Sequence, residues 1–141
     1  VSRDWVRLTG DMMRILQEEA ELQEIVQLVG VDALSPIDRV TLEAARSIRE
    51  DYLQQDAFNE VDTYSTLNKQ YRMLRLIMSF YYRARDAVKA GAGIDEIFSL
   101  PVRERIGRAK FVPEEKVSQV YDEMEKDLEA QMDALTAKED S

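Results

Sequence analysis

Residues 65–90 read STLNKQYRMLRLIMSFYYRARDAVKA, and their periodicity decides the fold. Leu67, Tyr71, Leu74, Ile77, Met78, Tyr81, Ala84 and Val88 recur at three- and four-residue steps apart from the adjacent Ile77 and Met78, the spacing of one face of an α-helix. Met73, Leu76 and Phe80 widen that face. An apolar stripe this broad predicts a central helix covered on more than one side. Ser65 is the expected cap at its start, and the Gly91-Ala92-Gly93 run its expected end. The same three residues do not read as a phosphate loop, because Ile94, Asp95 and Glu96 follow where GK[ST] would be required.

The chain before this helix predicts an antiparallel hairpin. Trp5, Leu8, Met12, Ile15, Leu22, Val26 and Val29 form a first helical stripe, and Gly30 suits its C-terminal cap. Gly10 costs a helix interior about 1 kcal/mol relative to Ala, which sets a second possible start near Asp11. Ser35 followed by Pro36 opens a second helix with an N-cap hydroxyl and a proline at the first turn, and Asp38 completes an acidic capping box. Ile37, Val40, Ala44, Ile48 and Tyr52 give that helix its apolar side, ending near Leu53.

Beyond the central helix, residues 94–100 predict a single helical turn and Pro101 a short helix to about Lys110, with Arg103, Arg105, Arg108 and Lys110 exposed on it. Pro113, Glu114 and Glu115 open a last helix striped by Val117, Tyr121, Met124, Leu128, Met132 and Leu135. That stripe docks either on the domain's own core or, as a coiled-coil seam, on a partner. Residues 136–141 are expected to fray. The fold class is therefore all-α: a compact bundle of about five to six helices in a single domain over residues 1–141, with an N-terminal hairpin and a long C-terminal helix.

Composition narrows the chemistry. The 141 residues include no Cys and no His, which excludes disulfides, thiolate nucleophiles, His-based zinc sites and Ser-His-Asp triads. No stretch approaches the roughly 20 apolar residues of a membrane span. No secretory signal is present, and a start at Val1 rather than Met reads as a piece of something longer. Net charge is −9 but segregated. Residues 1–60 carry 6 basic and 13 acidic groups, residues 61–112 carry 10 and 5, and residues 113–141 carry 3 and 10. The acidic whole argues against nucleic-acid binding. The basic middle either pairs with the acidic ends or faces an acidic partner. Asp56, Glu60 and Asp62 cluster between the second and third helices, but their spacing matches no metal loop, so no metal site is expected.

Three stretches together carry a family resemblance. The runs ELQEIVQLVGVDALSPIDRVTLEAARSIREDYLQQDAFNEVDTY, KQYRMLRLIMSFYYRA and IDEIFSLPVRERIGRAKF resemble the C-terminal helical domain in the catalytic A subunit of archaeal-type (A/V-type) rotary ATP synthases. The likeness is close over about residues 4–112. The F-type beta subunit shares the layout, but here the turn reads DALSPID and lacks that subunit's dense acidic DELSEED-like run. The resemblance thus implies a steric contact with the central rotor, mapped to Asp32, Ala33, Leu34, Ser35, Pro36 and Asp38.

The resemblance also implies that Phe58 in YLQQDAF faces the adenine of a nucleotide, with Gln55 and Ala57 lining the same pocket. The residues alone leave a second reading, in which Phe58 caps this domain's own core. Catalytic residues are expected to be none. The chain has no GxxxxGK[ST], so the resemblance implies an inert fragment whose parent subunit binds ATP or ADP with Mg. Implied partners are the central rotor-stalk subunits and neighbouring B subunits, in a peripheral head on the cytoplasmic side of the cell membrane that moves protons or sodium ions. The competing reading is a stand-alone helical adaptor that binds a partner through its last helix.

Overall fold

The structure is a computed structural model, which describes residues 2–53 and 66–140. Among the described residues there is no strand. Six α-helices follow one another: α1 (Ser2–Val29), α2 (Pro36–Ser47), α3 (Leu67–Lys89), α4 (Ile94–Phe98), α5 (Pro101–Gly107) and α6 (Val117–Asp140). A 3-10 turn at Val31–Ala33 links α1 to α2, and two more, at Ala109–Phe111 and Glu114–Lys116, lead into α6.

α3 is the central helix that its stripe predicts. Met73, Leu74, Leu76, Ile77, Met78, Phe80, Tyr81, Ala84 and Ala87 are all buried, facing α1, α2 and α6. Tyr71 and Val88 are only half-buried, and Leu67 is 81% exposed because it sits in the first turn, outside the bundle. The N-cap is Thr66, whose hydroxyl accepts the Lys69 N–H at 3.1 Å; the expected cap, Ser65, lies outside the described residues. At the other end Gly91 adopts φ 104°. The Ala92 and Gly91 N–H groups donate back to the Ala87 and Val88 carbonyls at 2.9 and 3.0 Å, closing a Schellman motif.

α1 begins at Ser2, not near Asp11, so Gly10 lies inside it. Tertiary contacts outweigh the glycine's cost. Leu8 is buried, Trp5 lies against Tyr71 with ring centroids 6.4 Å apart, and the Tyr71 O–H donates to Asp4 at 2.6 Å. The hairpin follows as predicted: Gly30 turns with φ 91°, and the Ser35 hydroxyl accepts the Asp38 N–H at 3.1 Å. α2 then changes register. Ile48–Leu53 form a π-helical turn, with no break in the apolar spacing to announce it.

α6 docks on the domain itself. Val117, Tyr121, Met124, Leu128 and Met132 are buried, Leu135 is half-buried, and the Tyr121 O–H donates to the Ala109 carbonyl at 2.6 Å. The seam that an adaptor would offer to a partner is thus occupied by the core. The backbone stays helical to Asp140, through the residues expected to fray.

The segregated charge is resolved internally. Arg72 pairs with Asp122 at 2.6 Å, Arg75 with Glu125 at 2.6 Å and Arg83 with Asp133 at 3.2 Å. The arginines of the α5 region are less exposed than their sequence suggests. Arg103 lies 3.7 Å from Glu43 and Arg105 2.5 Å from Asp127, while Arg108 does face solvent.

Candidate functional site

The sequence singles out two places: the turn before α2, and residues 54–65, which follow α2 in the chain and lie outside the described residues. α2 and its π-helical turn comprise 12 and 6 residues, a span of roughly 25 Å at the helical rise.

At one end is the hairpin tip. Asp32, Ala33, Ser35 and Pro36 are exposed, Asp38 is half-buried, and Leu34 is buried at 7% exposure as the anchor of the turn. Ser35 and Asp38 are engaged with each other through the N-cap. Within the tip the Ala33 and Leu34 N–H groups donate to the Gly30 and Val31 carbonyls at 3.2 and 3.1 Å, and the tip still presents a surface.

Sequence reasoning missed the apolar side of that surface. Leu28 is 83% exposed and Val29 66%, with Ile25 and Val31 near 40%. Val29 is a correction, since its place in the α1 stripe predicts burial. The last turn of α1 overshoots the helices that would cover it. Leu28 beside Val29 carried no signal by itself, because adjacent apolar residues can share a broad helical face, as the buried Ile77 and Met78 do.

At the other end α2 leads into residues 54–65. Gln55, Ala57 and Phe58 lie in that segment, outside the described residues, as do Asp56, Glu60 and Asp62. The flanks of the segment are built as follows. The Ser47 hydroxyl donates to the Asp51 carboxylate at 2.9 Å. Burial pushes the Asp51 pKa up, opposed by that hydrogen bond and by the charges of Arg103 and Lys110. The Lys110 ammonium donates to the Glu50 carbonyl at 2.9 Å, and the fully buried Lys69 ammonium donates to the Lys110 carbonyl at 2.8 Å. These bonds satisfy carbonyls that a helix end otherwise leaves open. Beyond the segment, the Thr66 N–H and O–H both donate to the Glu114 carboxylate, at 2.8 and 3.1 Å. Glu114, read from sequence as a helix-start acid, opens the 3-10 turn that leads into α6 and in addition clamps the start of α3.

Among the described residues, no cluster of three or more acidic groups is placed to hold a metal ion. None of the described helices is long and apolar enough to cross a membrane.

Comparison with known proteins gives a consistent result. Residues 1–98 match the family model described as the C-terminal domain of V and A type ATP synthase. The V-type ATP synthase alpha chain of Acetivibrio thermocellus is 66% identical over 139 residues, covering 99% of this chain and 24% of that protein. The alpha chain of Thermoanaerobacter pseudethanolicus is 58% identical over 135 residues, covering 96% of this chain and 23% of that protein. That of Clostridium novyi is 54% identical over 140 residues, with 99% and 24% covered. The chain therefore spans about a quarter of the length of these curated relatives.

Proposed function

Because this chain belongs to the family of C-terminal domains of V- and A-type ATP synthases, we propose that it is the lever arm of the catalytic A subunit, carrying displacement between a rotating partner and a nucleotide site. One observation carries this reading: the hairpin end is both capped and apolar. A contiguous exposed apolar patch marks an interaction surface, and Leu28, Val29 and Val31 supply one beside the exposed Asp32, Ala33, Ser35 and Pro36. The contact with the central rotor-stalk subunits is then a packing contact. A push on the tip travels along α1 and α2 as a rigid body, because both are packed against α3.

At the far end, α2 delivers the push to residues 54–65, where Phe58 faces the adenine of ATP or ADP, flanked by Gln55 and Ala57. Phosphate and Mg contacts belong to residues outside this chain, which has no GxxxxGK[ST] of its own. The parent subunit sits among B subunits in a peripheral head on the cytoplasmic side of the membrane and couples nucleotide chemistry to proton or sodium movement.

The test is Leu28→Asp combined with Val29→Asp in the assembled complex. Both side chains face solvent, so the fold is retained. The expected result is ATP hydrolysis within twofold of the parent, with ion movement driven by it reduced at least tenfold. Unchanged coupling would overturn the rotor contact.

A further inference from the structure

Gly10 lies in the interior of α1, where a glycine costs about 1 kcal/mol relative to alanine. Nothing within the described fold requires it. Its φ is not positive, unlike those of Gly30 and Gly91, and a Cβ placed on it would meet nothing within 4 Å. A glycine also serves where another backbone must come close, and in this case that backbone is not one of those described.

The neighbouring residues on the same face agree. Val6 precedes Gly10 by four positions and Met13 follows by three, so the three share a strip about 60° wide on one side of the helix. Val6 is 67% exposed and Met13 52%. Uncharged Gln17 and Ala20, also exposed, continue the strip. It is separate from the hairpin tip at the other end of α1.

We propose that this strip is the docking face for the part of the same polypeptide that precedes Val1 in the longer relatives. Two arguments select that occupant. The relatives are about four times as long as this chain, and the matching family is a C-terminal domain, which places most of the remaining chain ahead of Val1. Ser2, the first residue of α1, lies roughly 6 Å along the helix from Val6 at 1.5 Å of rise per residue, so whatever precedes it is tethered beside the strip. The second argument is size. Two exposed apolar side chains and a glycine fall far short of the roughly 800 Å² per partner that a free protein complex needs. A tethered partner needs much less, because its effective concentration is in the millimolar range. A second copy of the chain or a separate subunit has no such advantage.

Methionine oxidation tests this directly. Met13 is exposed, whereas Met12, Met73, Met78, Met124 and Met132 are all buried at 8% exposure or less. The full-length subunit, unassembled, is treated with hydrogen peroxide and its peptides are followed by mass spectrometry. Met13 is expected to oxidise at least tenfold more slowly than a methionine in a free peptide of the same sequence, and close to the rate of Met12. Val6→Asp, at a solvent-facing position, is expected to restore Met13 oxidation severalfold while leaving Met12 slow. Oxidation of Met13 at the free-peptide rate in the unmodified subunit would overturn the proposal. So would protection that appears only in the assembled head, which identifies another subunit as the occupant. Protection that rises with subunit concentration would identify a second copy and overturn it equally. None of these outcomes depends on the rotor contact, which involves the opposite end of α1.

Discussion

Asp51 and Asp4 are carboxylates whose surroundings shift them in opposite directions, and the difference makes both testable. Burial raises the Asp51 pKa above its ordinary 3.8. The folded state then holds that proton more tightly than the unfolded chain does. Its contribution is most favourable below the unfolded pKa and is lost as pH rises through the folded one. Asp51→Asn, which can keep the Ser47 hydrogen bond, should therefore raise the thermal midpoint at pH 7, with the gain fading toward pH 4. Circular dichroism melts at the two pH values read the effect; a lower midpoint at pH 7 would mean that Arg103 and Lys110 outweigh burial. Asp4 is lowered, first by the Tyr71 O–H and then by Arg7, so its contribution is present above pH 3.8 and lost as pH falls through the depressed value. Phe58 belongs to the same scale. Base stacking on an aromatic ring is worth about 1–3 kcal/mol, so on the proposed adenine contact Phe58→Ala in the full subunit should weaken nucleotide affinity roughly five- to 150-fold by calorimetry. Sequence likeness points to Phe58, but no local pattern points to Glu114 or Lys110, which hold the flanks of its segment from 48 and 60 positions away.

Individual elements were legible wherever a boundary is chemically local. Ser35-Pro36 caps α2 and Gly91 closes α3 because a hydroxyl, a fixed φ and a left-handed glycine act within one turn. Boundaries set by distant contacts were not legible. On the far side of Gly10, α1 is held by Leu8 and Trp5 in the core and by the Tyr71 hydroxyl of α3 on Asp4. In the π-helical turn at Ile48–Leu53, Lys110 reaches the Glu50 carbonyl, a pairing no period reveals. Two substitutions separate these influences in the 141-residue chain. Ser35→Ala should cost about 1 kcal/mol. Gly10→Ala should add up to about 1 kcal/mol, since its Cβ has open space in this fold. Both are read from urea midpoints at constant slope, and a destabilised Gly10→Ala chain would mean that the glycine serves packing within the domain after all.

For the whole molecule, the question is what makes the arm stiff. The segregated charge was visible in the sequence, but its destination was not, because pairing Arg72, Arg75 and Arg83 with Asp122, Glu125 and Asp133 requires the register of helices about 50 residues apart. Arg72 is buried, but the Arg83 pair lies at the rim of the α3–α6 contact, where exposed ion pairs contribute about 0–1 kcal/mol each. The apolar side of α6 matters more: Tyr121, Met124, Leu128 and Met132 are each at most 3% exposed, and full burial of such side chains is worth about 1.5–3 kcal/mol apiece. Arg83→Gln should therefore cost less than about 1 kcal/mol, an effect that vanishes in 0.5 M salt. Deleting residues 136–141 should cost little, since among the described side chains of α6 the last buried one is Met132. Deleting residues 117–141 strips one flank from α3 and should abolish cooperative unfolding. A melt that stays sharp without residues 117–141 would show that α1, α2 and α3 are rigid by themselves. In that case the path from the hairpin tip to the far end of α2 would not need α6 as its brace.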